Sequence, residues 1–199
     1  MDLPLRHEVE RLLSADGLAP PAGLLNDLLV DYLVASGFVR SQHLEDSMRR
    51  WRRDLFLPEA ELRHVFSDRA VITADDGSGW VASSCSTPSI TTSMIEALEV
   101  EPGHRILEIG SGTGYATALL SSLEEGIEVV ALECLEETAH EARNRIRDLQ
   151  IKNVRIVTGD GRGDLSAFGI FDRILISCGV EELPRGWSDL LRPGGLIVL

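Results

Sequence analysis

The chain of 199 residues predicts an α/β fold, a mostly parallel sheet flanked by helices and preceded by a small N-terminal helical extension. Three observations carry that prediction. From about residue 89 onward, apolar β-rich runs alternate with helical stretches, the pattern of right-handed βαβ units. A strand-like run, Arg105-Ile-Leu-Glu-Ile109, enters Gly110-Ser-Gly-Thr-Gly114 and then a helical stretch, as at the carboxyl end of a parallel strand that meets a ligand. The composition, 44% hydrophobic and 26% charged, supplies a real core and argues against low-hydrophobicity disorder.

Taken in order, Leu5, Val9 and Leu12 share one helical face. After the Ala19-Pro20-Pro21 break, Leu24, Leu25, Leu28, Leu29, Tyr32 and Leu33 share another. A third helix starts at Ser41 as N-cap, carries Glu45 and Met48, and closes before Pro58. Residues 64–87 have little periodicity and contain Asp75-Asp76-Gly77-Ser78-Gly79, which reads as a β-turn or hairpin. Ser89 to Val100 is helical. Arg105 to Ile109, Glu128 to Leu132, Val154 to Val157, Phe171 to Ser177 and Leu196 to Leu199 then alternate with Gly114 to Leu123, Glu136 to Leu149 and Trp187 to Leu191. The expected division is a helical extension over 1–60 and a ligand-binding domain over 61–199.

The formal charge of −13 is spread evenly over both halves, which excludes a phosphate-neutralising nucleic-acid binder. No apolar run approaches the ~20 residues needed to span a bilayer. The N-terminus has acids where a secretion signal would carry positive charge, and this predicts a cytoplasmic protein. Cys85, Cys134 and Cys178 are odd in number and far apart, so they read as reduced, half-buried small residues. His7, His43, His64, His104 and His140 show no ligand spacing, and no metal is expected. Met48-Arg-Arg-Trp-Arg-Arg53 is a basic cluster that reads as a helix face countering local acids, with docking of an acidic peptide as the other reading.

Glycines 110, 112 and 114 let the chain turn tightly and a ligand approach the main chain. The dinucleotide fingerprint fails because its last glycine is replaced by Tyr115, and a triphosphate loop fails because the nearest lysine is Lys152. Acids fit better. Glu133, at the end of the next strand, can accept from two ribose hydroxyls, while Glu108 orients the loop and faces a cationic group. Asp160, in Thr158-Gly159-Asp160-Gly161, can accept from an exocyclic amine. A cationic nucleoside is implied, and S-adenosylmethionine (SAM) is the expected cofactor. Its candidate residues are Glu108, Gly110, Ser111, Gly112, Thr113, Gly114, Tyr115, Glu133, Cys134, Asp160 and Gly161; Tyr115 either covers the methionine part or packs on the helix.

The sequence resembles the class I SAM-dependent methyltransferases, which implies their Rossmann-like fold. Within them it is similar to the protein-L-isoaspartate O-methyltransferase family over roughly residues 40–199. The resemblance rests on Arg53-Asp-Leu-Phe-Leu-Pro-Glu59, Ser67-Asp68-Arg69-Ala70, Ser86-Thr87-Pro88, Glu101 through Tyr115, Gly159-Asp160-Gly161, Phe171-Asp-Arg-Ile-Leu-Ile176 and Leu191-Arg-Pro-Gly-Gly195. The glycine turn identifies the superfamily, and the two segments around Arg53 and Ser86 carry the narrower likeness. That likeness implies a substrate peptide or protein with an aspartyl or isoaspartyl carboxylate, held by Ser84, Ser86, Thr87 and Pro88 beside the methyl group of SAM. Ser86 is the candidate catalytic residue; its other reading is the cap of the helix beginning at Pro88.

Three departures shape the expectation. The helical extension is longer than the core family needs, and the chain stops in the Pro-Gly-Gly strand, so the sheet is expected to lack its last two strands. The hydroxyl-rich Ser83-Ser84-Cys85-Ser86-Thr87 looks more like the branch that modifies ribosomally made peptides (RiPP biosynthesis), where methylation of an aspartate leads to an aspartimide. A general isoaspartyl repair enzyme and a non-catalytic SAM-binding module are the alternatives.

Overall fold

The computed structural model describes residues 7–9, 11–12, 21–75, 77–79 and 81–199; Leu5, Ala19, Pro20 and Asp76 lie outside them. The chain forms two compact units, Met1–Ser93 and Met94–Leu199. Among the described residues no helix is long and apolar enough to cross a membrane.

In the first unit, α1 (Ala22–Ala35) buries Leu25, Leu29 and Leu33, one helical face spaced by four residues. α2 (Gln42–Arg50) begins where the sequence places it, with the Ser41 hydroxyl accepting from the Leu44 N–H. Asn26 on α1 donates to the carbonyl of Met48 on α2. Arg49 is paired with Asp27, Asp31 and Glu45, Arg50 lies over the Trp51 ring, and Arg52 pairs with Asp54. Arg49, Arg50 and Arg52 of the basic cluster therefore face acids and a ring of their own chain. A 3-10 turn (Arg53–Phe56) and the short α3 (Leu62–Val65) lead to a hairpin of β1 (Val71–Asp75) and β2 (Val81–Cys85). In its turn the Asp75 carboxylate accepts from the Gly77 N–H. β2 runs through Ser86 and Thr87 into α4 (Pro88–Ala97).

The second unit is built on five parallel strands: β3 (Arg105–Ile109), β4 (Glu128–Glu133), β5 (Val154–Thr158), β6 (Phe171–Ile176) and β7 (Leu191–Val198). Their order is β5-β4-β3-β6-β7, so the chain steps outward one way from β3 and then returns to its other side. In open α/β sheets that reversal makes a crevice at the carboxyl ends of the central strands. α5 (Tyr115–Leu120) joins β3 to β4 and α6 (Glu136–Asp148) joins β4 to β5. One sheet face is a core of Leu107, Ile109, Val130, Leu132, Ile174 and Ile176, packed with Leu165, Phe171, Trp187 and Leu190. The alternation places Glu108 on the opposite face.

Two differences from the sequence reading have physical causes. Trp187 to Leu191 is not an α-helix; a 3-10 helix spans Arg185–Leu190, entered from Pro184, whose carbonyl accepts from the Trp187 N–H at 3.0 Å, the i to i+3 bond of the tighter helix. β7 also starts at Leu191 rather than Leu196 and includes Pro193-Gly194-Gly195. It lies at the end of the strand order, and its pairing with β6 shifts register between Phe171 and Arg173, which is where a proline is tolerated. Cys85, Cys134 and Cys178 are free thiols, the first buried and the other two exposed rather than half-buried. Leu107 is fully buried in the central strand. Leu107→Ala should lower unfolding free energy by about 3 kcal/mol in urea titration.

Candidate functional site

The carboxyl end of β3 is where the second unit becomes chemical. After Ile109 the chain turns at Gly110 (φ 88), and a side chain there would place its Cβ 2.7 Å from the Cβ of Cys178. Glycine is required on both counts. The turn is stitched to its neighbours: Gly110 and Ser111 N–H groups both donate to the Leu132 carbonyl at 2.9 Å, and Ser177 N–H donates to the Ile109 carbonyl at 2.8 Å. Gly114 N–H donates to Ser111 and opens α5.

Glu133 ends β4, is 5% exposed and fixes the middle of the turn. Its Oε2 accepts from the Gly112 N–H at 2.8 Å and its Oε1 from the Leu135 N–H at 3.0 Å, with the Cys134 thiol at 3.6 Å. Oε2, with a single donor, retains accepting capacity for a ligand hydroxyl. Burial and then Glu133 push the Cys134 thiol pKa up, and burial first does the same for Cys178, so neither is an activated nucleophile.

Glu108 is fully buried in β3. Its carboxyl accepts from the Thr117 hydroxyl on α5 and from the Ser177 hydroxyl after β6, tying three elements together. Burial, opposed by those two hydrogen bonds and assisted by nearby Glu133, pushes its pKa up to about 7. Asp160 stands after β5 and is exposed. Both its oxygens accept from the Arg162 guanidinium, one also from the Arg162 N–H, and this holds its pKa down at about 2. Gly161 is wedged against β3, where a Cβ would stand 2.5 Å from Ile109, and its carbonyl accepts from the buried Trp187 indole at 2.7 Å.

The carboxyl ends of β3, β4 and β5 therefore carry all the sequence-predicted cofactor residues in one unit. Ser111 and Thr113 are buried, and the Ser111 hydroxyl has no partner among the described residues. Tyr115 opens α5 and is buried. A glycine cradle that no side chain can fill, a buried hydroxyl left over and two acids suit a ligand with hydroxyls and a positive charge, as SAM has. Among the described residues no cluster of His, Cys, Asp or Glu could hold a metal.

In the first unit, Ser84, Ser86 and Thr87 are half-buried and Pro88 is buried. In the first turn of α4 the Ser89 N–H is taken by the Asp68 carboxylate at 2.8 Å.

A sequence model described as Protein-L-isoaspartate(D-aspartate) O-methyltransferase (PCMT) matches residues 25–199. This chain belongs to that family. Among relatives, the protein-L-isoaspartate O-methyltransferase of Ignicoccus hospitalis is 30% identical over 173 residues, which cover 86% of this chain and 79% of the relative. One from Rhodopseudomonas palustris is 42% identical over 113 residues, 57% of this chain and 51% of the relative. A solved protein-L-isoaspartate O-methyltransferase superposes with a TM-score of 0.78 at 32% identity, covering 86% of this chain and 54% of that one. A Plasmodium falciparum PCMT structure in complex with S-adenosyl-L-homocysteine has the same fold, with a TM-score of 0.74 at 21% identity over 86% of this chain and 82% of that one. The chain thus spans about half the length of some of its relatives and most of others. The PCMT family is one of SAM-dependent O-methyltransferases, and SAM is its cofactor.

Sequence reasoning missed Thr117, Ser177, Arg162 and Trp187, all of which hold a candidate residue. Single hydroxyls inside apolar runs give no signal, while Arg162 could have been found as a cation two residues from Asp160.

The raised Glu108 pKa gives a pH prediction. The unfolded chain, with the group near 4.5, releases its proton before the folded chain does, so stability without ligand falls as pH rises from about 4.5 to about 7. Glu108→Gln should match the parent near the lower pH and exceed it at pH above 7 by on the order of 3 kcal/mol in chemical denaturation. Parallel curves for the two proteins would refute the assignment.

Proposed function

We propose that this chain is a carboxyl O-methyltransferase that transfers the methyl group of SAM to aspartyl or isoaspartyl side chains of a peptide. Family membership over residues 25–199 carries the reading, and the acid-lined glycine turn supports it. Bound SAM supplies an electrophilic methyl on a sulfonium, which an incoming carboxylate oxygen takes as the carbon–sulfur bond breaks and neutral S-adenosylhomocysteine leaves. A carboxylate is already ionised near pH 7, so the chain needs no general base. That accords with a site whose acids hold a ligand and whose two exposed thiols are not activated.

In this reading Glu133 accepts from the ribose hydroxyls while its other hydrogen bonds hold the turn. Glu108 stands as the buried acid beneath a cationic ligand, and Asp160 with Gly161 borders the base. Gly110 through Gly114 provide the main-chain approach, Thr113 and Tyr115 line the start of α5, and the free Ser111 hydroxyl is available to the ligand. Ser86 donates its hydroxyl to the substrate carboxylate and fixes its direction of attack, with Ser84, Thr87 and Pro88 shaping the segment.

The likeness of the hydroxyl-rich run from Ser83 to Thr87 to the peptide-modifying branch of the family implies a ribosomally made precursor peptide as substrate. There the product ester is attacked by the following backbone amide nitrogen; its carbon–oxygen bond breaks, methanol leaves with the amide proton, and a succinimide forms. Mass spectrometry after incubation with SAM and an isoaspartyl peptide, an aspartyl peptide or the candidate precursor tests both levels. Methyl ester or succinimide on none of them sinks the activity, and ready turnover of a generic isoaspartyl peptide favours repair over maturation. Ser86→Ala should lower turnover about tenfold with S-adenosylhomocysteine affinity retained, whereas Glu133→Ala should weaken that affinity in calorimetry.

A further inference from the structure

Two charged side chains outside the proposed binding residues hold the Ser86 segment from opposite chemical sides. Arg53 is fully buried and forms no ion pair among the described residues. Main-chain carbonyls meet its charge instead. Nη1 donates to Val65 at 2.6 Å and to Ser67 at 3.4 Å, while Nη2 donates to Arg69 and Ser86 at 3.0 Å and to Cys85 at 3.3 Å. In a planar trans peptide the C=O and N–H point opposite ways. Drawing the Cys85 and Ser86 carbonyls toward the guanidinium therefore turns the Ser86 and Thr87 N–H groups away from it. Three residues on, the Asp68 carboxylate accepts from the Ser89 N–H at 2.8 Å. Ser86-Thr87-Pro88 is strung between a cation on the Cys85 and Ser86 carbonyls and an anion on the Ser89 amide.

A buried cation with no carboxylate partner is a poor stability device, since an apolar side chain would fill the space at less cost in desolvation. Its value lies in geometry. A lysine ammonium is a point charge and cannot reach two sets of carbonyls, whereas the planar guanidinium can.

We propose that Arg53 and Asp68 are positioning residues for methyl transfer: they fix the main chain from Cys85 to Ser89 so that Ser86 meets a substrate carboxylate in one orientation. The proposal rests on reading Ser84–Pro88 as the substrate segment. It specifies how the carboxylate is recognised: by a hydroxyl on a preorganised backbone, with a positive charge held behind that backbone.

The test measures peptide kinetics, S-adenosylhomocysteine affinity and amide hydrogen exchange for the whole chain. Asp68→Ala and Arg53→Lys should raise KM for an isoaspartyl peptide about tenfold while leaving S-adenosylhomocysteine affinity unchanged. Asp68→Asn, which keeps an acceptor oxygen, should restore KM to within about twofold of the parent. Unchanged KM in Asp68→Ala and Arg53→Lys, or the same loss in Asn as in Ala, overturns the proposal. If the parent makes no methyl ester, the functional reading fails and exchange decides the anchoring alone. Faster exchange at the Ser86 to Thr91 amides in Asp68→Ala upholds the anchoring, and unchanged exchange there overturns it.

Discussion

The hydrogen bond from the Gly112 N–H to the Glu133 carboxylate is the contact on which the second unit turns. It joins the tip of the β3 turn to the end of β4, the strand next to β3 in the sheet. The turn has little else of its own: its glycines bring no side chains, and the N–H groups of Gly110, Ser111 and Gly114 go to Leu132 and Ser111 carbonyls. Without the carboxylate the conformational freedom that makes glycine usable here would also let the turn wander. A single side chain thus both shapes the turn and presents oxygen atoms to whatever enters it.

Glu108 and Glu133 are both buried acids, yet they do different work. Glu133 receives two main-chain N–H groups and stands at a strand end. Glu108 lies inside the strand and receives only two hydroxyls, and burial outweighs them. A group poised near neutrality is costly to ionise alone and easier to ionise beside a positive ligand. Under the proposed function, a sulfonium cofactor held near Glu108 would favour its charged form and so link stability to occupancy by mass action.

How much of this could be read from the sequence follows from the range of each interaction. The strand, glycine turn and helix from Arg105 to Leu120 are local, and so were visible as a contiguous pattern. Glu108, Glu133 and Asp160 were visible because acids at strand ends around a glycine turn have a chemical reason to be there. Asp160 was read without its ion pair to Arg162, which competes for the same oxygens. The Ser177 hydroxyl becomes meaningful only once the topology brings β6 beside β3, and that of Thr117 once α5 folds back on its own strand. Asp68 was hidden for the same reason, since its partner at Ser89 lies 21 residues away.

Arg53 is the sharpest case. In the sequence it ends the run Met48-Arg-Arg-Trp-Arg-Arg53, and charge alone places all four arginines on one solvated surface. The fold separates them instead. Arg49 and Arg52 are balanced by carboxylates of their own neighbourhood, Arg50 covers a tryptophan, and Arg53 turns inward. A docking groove for an acidic peptide would need several of these charges at once, and the first unit has spent them. Recognition of a single carboxylate asks for less: one hydroxyl, a fixed backbone and a charge behind it. The −13 formal charge of the chain makes that local arrangement more necessary, because long-range attraction of an anionic peptide is weak or repulsive. Under the proposed function, selectivity comes from geometry at short range, where a preorganised segment has its greatest effect.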